Sequence, residues 1–166
     1  MHATKIAIPS ASLRAGSCGQ QGNEAFPELV MNDLMPMIDT CYRTFPDRMH
    51  RAIAGLSMGG GQALQIGLGH LDKFAYIASF SGVLQDLDLK TSYGRVFTDP
   101  ASFNKSVCLL WLGAGLGEPR IHDLARKFHQ ALTQSGINNV FFKCPFAHEW
   151  QTWRYDLQDL APRLFH

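Results

Sequence analysis

One serine in this sequence lies in the setting of a nucleophile. Residues 51–64 are RAIAGLSMGGGQAL, in which Gly55 to Gly59 fit the pattern G-x-S-x-G around Ser57. The apolar run before the serine predicts a strand, and the stretch after it predicts a helix. Flanking glycines leave room for a tight turn that exposes the hydroxyl. The backbone N–H of Met58 would then point toward a developing oxyanion.

A serine nucleophile requires a base, and the base requires an acid that orients it. For a serine on such a turn, the acid and the histidine follow in later loops of the same sheet. Of the seven histidines, His148 is the one that lies just after the last predicted strand, and His166 is terminal. Glu118 follows the strand before it and is the expected acid, with Asp123 as the alternative. The sequence therefore predicts a Ser57–His148–Glu118 triad.

These residues would be positioned by alternating strands and helices, which predict an α/β fold with a mostly parallel sheet flanked by helices. Apolar residues at helical spacing predict helices within 29–42, 63–71 and 121–132, the last closed by Gly136. A final helix would place Trp150, Trp153, Leu157 and either Leu160 or Ala161 toward the core. The predicted strands are 5–9, 51–55, 74–82, 107–113 and 140–145.

Composition limits the class of protein. The 166 residues are 46% hydrophobic and 17% charged, which is typical of a single globular domain over 1–166. A net charge of +1 without long charged runs gives no reason to expect a nucleic-acid partner. No apolar run approaches the length that spans a membrane, so no membrane partner is expected. The cysteines lack metal-ligand spacing, and HEWQT lacks the second histidine of a zinc motif, so we expect neither metal nor cofactor.

Four segments together resemble the esterase-D-like group of α/β-hydrolases, in particular carbohydrate esterase family one, which includes feruloyl and acetylxylan esterases. They are RAIAGLSMGGGQALQIGL, FAYIASFSG, LLWLGAGLGE and AHEWQTWRYDLQDLAPRLF, in the order that the family has. The resemblance implies an α/β-hydrolase fold, with Ser57 as nucleophile, Glu118 at the acid position and His148 as base. The family more often has Asp at the acid position. The resemblance also implies secretion or a periplasmic location, although MHATKIAIPS has no signal-peptide pattern.

The same resemblance implies that the chain is shortened at its N-terminus. Members of the family have a longer N-terminal part, with a His-Gly-Gly segment that supplies a second oxyanion donor. That segment is absent from this sequence, and the second donor is left unassigned. A strand would also be missing between the first two predicted strands, which would leave a gap or an unpaired edge. Because exposed edges associate, we expect the sheet to rearrange or the chain to form a homodimer.

Two functions follow from these observations. The first is a serine esterase that needs no cofactor and releases feruloyl or acetyl groups from plant cell-wall polysaccharide, with a small ester as a simpler substrate. Gln62, just after the nucleophile, and Trp150, just after the histidine, are the expected substrate-binding residues. The alternative is a weak or inactive hydrolase-like module that binds or assembles, which the absent oxyanion segment favours.

Overall fold

The computed structural model describes residues 5–7 and 25–165. Within them, five parallel strands form one sheet in the order in which they occur along the chain. The predicted strands are therefore present, and the N-terminal one is seen as Lys5–Ala7, since residues 8 and 9 lie outside the described ranges. The strands are β1 (Lys5–Ala7), β2 (Arg51–Leu56), β3 (Tyr76–Phe80), β4 (Leu109–Gly115) and β5 (Val140–Cys144).

Helices connect the strands, as parallel pairing requires. The first helical stretch changes from α to π and back to α. Short 3₁₀ turns occupy Arg48–His50 and Ala161–Arg163, and Ser92–Thr98 contains 3₁₀ turns interrupted by a kink at residues 93–95. None of the described helices is long and apolar enough to cross a membrane. The helices are α1 (Ala25–Glu28), a π segment (Leu29–Leu34), α2 (Met35–Cys41), α3 (Met58–Gly69), α4 (Pro100–Ser106), α5 (Pro119–Gln134) and α6 (Trp150–Leu160).

No gap separates β1 from β2, because the sheet has rearranged, which is one of the two outcomes expected for a missing strand. Lys5, Ile6 and Ala7 pair directly with Arg51, Ala52 and Ile53 in parallel register. The sheet has therefore closed over the position of the expected strand, and β1 is one of its two outer strands in the described part of the chain. Closure satisfies backbone groups of β2 that would otherwise lack partners.

Alternating strand residues divide the interior into two cores. One face of the sheet, with Ile53, Ile77 and Leu112, packs with buried residues of α3 and α5. The other face carries Ala54, Ala78 and Trp111 and packs against α6. As expected, α5 is followed by Gly136, whose φ of 77° is the left-handed conformation that glycine tolerates best.

The buried face of α6 agrees only in part with the predicted one, because Leu160 is buried and Trp153 packs against the core as predicted, whereas Trp150 and Leu157 are exposed. Trp150 is 72% exposed and Leu157 is 37% exposed, whereas Thr152, Asp156 and Leu160 are buried. The buried residues are four positions apart along α6 and lie against alternate residues of β4. This spacing matches because four residues of a helix and two residues of a strand rise by nearly the same distance. A Cβ added to Gly113 would lie 2.7 Å from Asp156 Oδ1, and one added to Gly115 would lie 3.1 Å from Thr152 Oγ1.

Candidate active site

Ser57 lies at a strained turn between β2 and α3. Its φ of 51° and ψ of −122° fall outside the regions that non-glycine residues favour, at a cost of about 1–3 kcal/mol. The Ser57 N–H donates to the carbonyl of Phe80 at 2.8 Å, which ties the turn to the end of β3. A Cβ on Gly55 would overlap the carbonyl of Gly59, so glycine at 55 lets the first turn of α3 approach β2. The glycines therefore allow the sharp turn that exposes the serine.

The structure brings Ser57, His148 and Glu118 together. His148 Nε2 lies 2.8 Å from Ser57 Oγ, and His148 Nδ1 lies 2.6 Å from Glu118 Oε2. Each residue follows a different strand, and the carboxyl ends of parallel strands meet at one edge of the sheet. The hydroxyl, imidazole and carboxylate thus form one hydrogen-bonded row. Such a row can draw a proton from the hydroxyl and hold the resulting imidazolium beside a negative charge.

Hydrogen bonds to Glu118 orient its carboxylate toward His148. The residue is the N-cap of α5, but its side chain makes no capping bond with that helix. Oε1 instead accepts the Gly115 N–H at 2.6 Å and the Ser81 hydroxyl at 2.5 Å, which leaves Oε2 for His148. The side chain is buried, so its charge is little screened by water. The longer arm of Glu, compared with Asp, reaches the imidazole.

Asp123 has other partners. Its carboxylate pairs with Arg126 and with Lys127 on the exposed side of α5. Hydrogen bonds from these two residues hold the pKa of the Asp123 carboxyl below its ordinary value. Of the two acids that the sequence offered, Glu118 is therefore the one that contacts His148, and Asp123 pairs with residues of its own helix.

Ser81 and Trp153 complete the surroundings of the row and were missed as site residues in the sequence. Ser81 has a φ of 52°, and its N–H donates to the Gly113 carbonyl at 2.7 Å. The Trp153 indole N–H lies 3.3 Å from Ser81 Oγ, and its ring meets the His148 ring edge-on at 5.1 Å. Ser81 follows β3 directly, so its position at a strand's carboxyl end was a signal that could have found it.

The expected oxyanion and substrate residues lie on two sides of Ser57. Met58 begins α3, so its N–H has no acceptor within that helix, as the predicted oxyanion role requires. Met58 and Gln62 line an open cleft of about 660 Å³ that runs along α3 beneath residues 82–94. Trp150 is not among the residues lining that cleft. Its ring lies 5.2 Å from that of Trp153, on the histidine side.

Among residues 5–7 and 25–165, no cluster of three or more His, Cys, Asp or Glu side chains is arranged to hold a metal ion. Trp111, a further aromatic residue near the sheet, lies in the core and donates its N–H to Asp159 Oδ1 at 2.9 Å.

A parallel sheet with a serine at a strand-to-helix elbow, followed by an acid and a histidine after later strands, defines the α/β-hydrolase fold. Residues 8–164 match the profile of the Esterase family, described as "Putative esterase", and the chain belongs to this family. The match agrees with the resemblance seen in the four sequence segments.

Relatives of known name agree with this assignment. An "Endo-1,4-beta-xylanase/feruloyl esterase" of Xylanibacter ruminicola is 30% identical over 151 residues, which are 90% of this chain and 19% of that protein. A solved ferulic acid esterase is 26% identical, with a TM-score of 0.69 over 82% of this chain and 59% of the other. A CE1 ferulic acid esterase from Anaeromyces mucronatus, 16% identical, has the same fold, with a TM-score of 0.68 over 87% of this chain and 56% of the other. The chain thus spans about a fifth of the curated relative's length.

Proposed function

We propose that the chain is a serine carboxylic-ester hydrolase with Ser57 as nucleophile, His148 as general base and Glu118 as the acid that orients the base. The observation that carries the proposal is the position of His148, 2.8 Å from the serine hydroxyl and 2.6 Å from the buried carboxylate. Membership of the Esterase family and the names of the relatives support the same reaction class. They do not favour the alternative of an inactive binding module.

The reaction follows from these contacts in two steps. His148 takes the proton of Ser57, whose oxygen attacks the ester carbonyl, and the Met58 N–H stabilises the tetrahedral oxyanion. His148 then gives its proton to the departing alcohol, which leaves an acyl-serine. Water, deprotonated by His148, attacks the acyl group and releases the acid and free Ser57. Glu118 keeps the imidazole in the tautomer that can accept the serine proton.

The proposed substrate is a feruloyl or acetyl ester of a plant cell-wall saccharide. Support comes from two relatives, a xylanase/feruloyl esterase that is 30% identical and a ferulic acid esterase that is 26% identical. Gln62 offers an amide to the cleft, and Trp150 with Trp153 offers aromatic surface beside His148. Association into a homodimer and a secreted or periplasmic location stay predictions.

Hydrolysis of methyl ferulate and of 4-nitrophenyl acetate by the purified chain tests the proposal. We expect turnover that Ser57→Ala lowers by at least about 10⁴-fold, because the nucleophile is lost. Ser135→Ala, at the far end of α5 from Glu118, is the matched control and should keep full activity. A fluorophosphonate should label the parent and the control but not Ser57→Ala. A folded parent that neither turns over an ester nor takes the label would instead support the binding module.

A further inference from the structure

Asp156 is a buried acid for which the proposed reaction has no use. The residue lies in the middle of α6 and is 0% exposed. Neither of its carboxylate oxygens has a hydrogen-bond partner among the described residues. A carboxylate in that position would be costly to keep ionised, because burial removes the water that stabilises its charge.

The groups around Asp156 also oppose a negative charge. Its Oδ1 faces the Cα of Gly113 on β4. The charged groups that act on Asp156 are Glu118 and Asp159, both acids. Arg163, which could neutralise a charge on this side, is already paired with Asp159 at 2.9 Å. The other titratable residues of the elements packed on α6 are Tyr76 on β3 and Lys143 and Cys144 on β5, with His148 just before the helix, and none is hydrogen-bonded to Asp156.

Burial, and secondarily the charges of Glu118 and Asp159, raises the pKa of Asp156 to about 8. The side chain is therefore a neutral carboxylic acid at neutral pH. It gains a charge only when the pH passes above that value.

The packing of Asp156 is connected to the position of His148. The helix that carries Asp156 begins two residues after His148. Within its first turn, the Thr152 hydroxyl donates to the Ala147 carbonyl, and the Trp153 ring contacts both His148 and Ser81. A helix that moves away from β4 would take Trp153 with it, and the His148–Glu118 hydrogen bond would lose its support.

We propose that Asp156 is a positioning residue that, as a neutral acid, lets α6 pack against β4 and thereby holds His148 against Glu118, and that loss of its proton at alkaline pH loosens this packing. The inference rests on the proposed function for its effect on turnover. The neutral acid and the position of His148 can be measured without any substrate.

The test compares the parent with Asp156→Asn, which keeps the shape and cannot ionise, and with Asp156→Val as a second neutral variant. Asp72→Asn, which removes an exposed acid beyond α3, is the control for net charge. Three quantities are followed from about pH 6 to about pH 10. They are the infrared band of a protonated carboxyl, the low-field proton resonance of His148 Nδ1–H, and kcat/KM for 4-nitrophenyl acetate.

In the parent and in Asp72→Asn, we expect a protonated-carboxyl band at neutral pH that disappears near pH 8, together with the low-field resonance. Above that pH, kcat/KM should fall about tenfold per pH unit, as for loss of one proton. Both neutral variants should lack the band, keep the resonance and lose this fall. The inference is overturned if the parent has no such band, or if the neutral variants lose the resonance at the same pH as the parent. A parent that shows band and resonance without any ester turnover would count against the proposed function alone.

Discussion

The elbow around Ser57 and the segment around His148 both contribute to the same hydrogen-bonded row, but they are specified in different ways. At the elbow, Gly55 and the strained conformation of Ser57 are required by the sharp turn itself, in which the contacting residues are only a few positions apart in the chain. At the histidine, a five-residue loop between β5 and α6 is held by residues that lie far apart in the chain, including Ser81 and Glu118. Local backbone geometry thus specifies one half of the site, and long-range packing specifies the other.

This difference explains why the elbow is visible in the sequence as a motif, whereas the contacts that hold His148 in place are not. A tight turn demands particular residue types at fixed spacing, so G-x-S-x-G is visible as a motif. A helix that packs on a sheet demands only that the buried side chains fit, so the burial of Thr152 and Asp156 leaves no motif. Each prediction below perturbs one of these regions.

Of the predictions that test this comparison, the one at the acid has the largest expected effect. Glu118→Gln keeps the size of the side chain and removes the charge that stabilises the imidazolium, so kcat/KM should fall by about 10³–10⁴-fold. The measurement is hydrolysis of 4-nitrophenyl acetate by each folded variant. Asp123→Asn is the matched control and should stay within about threefold of the parent, because Asp123 pairs with Arg126 and Lys127. Equal losses in the two variants would show that the acid was misassigned.

The next effect is a pH dependence of stability that arises from Asp156. The folded state holds this proton up to about pH 8, whereas the unfolded chain releases it near the ordinary value of 3.8. The unfolded state therefore binds fewer protons between these values, and the free energy of unfolding should fall with rising pH by about 1.4 kcal/mol per unit. Above about pH 8 this contribution stops changing.

Urea unfolding at pH 5 and pH 7 measures that contribution. At each pH, the free energy of unfolding of Asp72→Asn is subtracted from that of Asp156→Asn. This difference should be about 3 kcal/mol larger at pH 7 than at pH 5, because only the chain that keeps Asp156 loses stability as the pH rises. Parallel pH curves for the two variants would mean that Asp156 is ionised or partnered in the folded protein.

A smaller effect is expected at the elbow. Gly55→Ala places a Cβ against the Gly59 carbonyl, which forces α3 away from β2 and should lower the free energy of unfolding by about 1–3 kcal/mol. Chemical denaturation measures the change. Gly69→Ala is the control, because a Cβ there meets no atom within 4 Å, and it should be neutral or slightly stabilising. A fully stable Gly55→Ala would contradict the close approach at the elbow.

The smallest effect is expected at the start of α6. Thr152→Val keeps the shape and removes the hydroxyl that bonds the Ala147 carbonyl, beside His148. Loss of one such bond should lower stability by about 1 kcal/mol and activity by a few fold. Thr40→Val removes an exposed hydroxyl bond to the Pro36 carbonyl in α2 and should change neither. If the two variants behave alike, the Ala147 bond does not help to place His148.

Much of the fold and the main site residues could be predicted from sequence. Alternation of apolar runs and helical spacing placed all five strands, and chain order selected Glu118 and His148 from many acids and seven histidines. A rearranged sheet and a homodimer were both expected, but the sequence could not choose direct pairing of β1 with β2, because strand order depends on which backbone edges meet. The buried face of α6 was predicted only in part, because Trp153 and Leu160 pack in the core as expected but hydrophobicity favoured Trp150 over Thr152.

By itself, the sequence determined the elbow, the reaction class that its serine favours and the succession of strands and helices, because these depend on spacing over a few residues. Only the tertiary structure decided that Ser81 supports Glu118, that Trp153 packs on His148 and that Asp156 of α6 lies in the core without a hydrogen-bond partner among the described residues. The spacing of hydrophobic residues along the sequence indicates which residues are buried. The partner of a buried polar group, in contrast, belongs to a distant segment of the chain that only folding brings close.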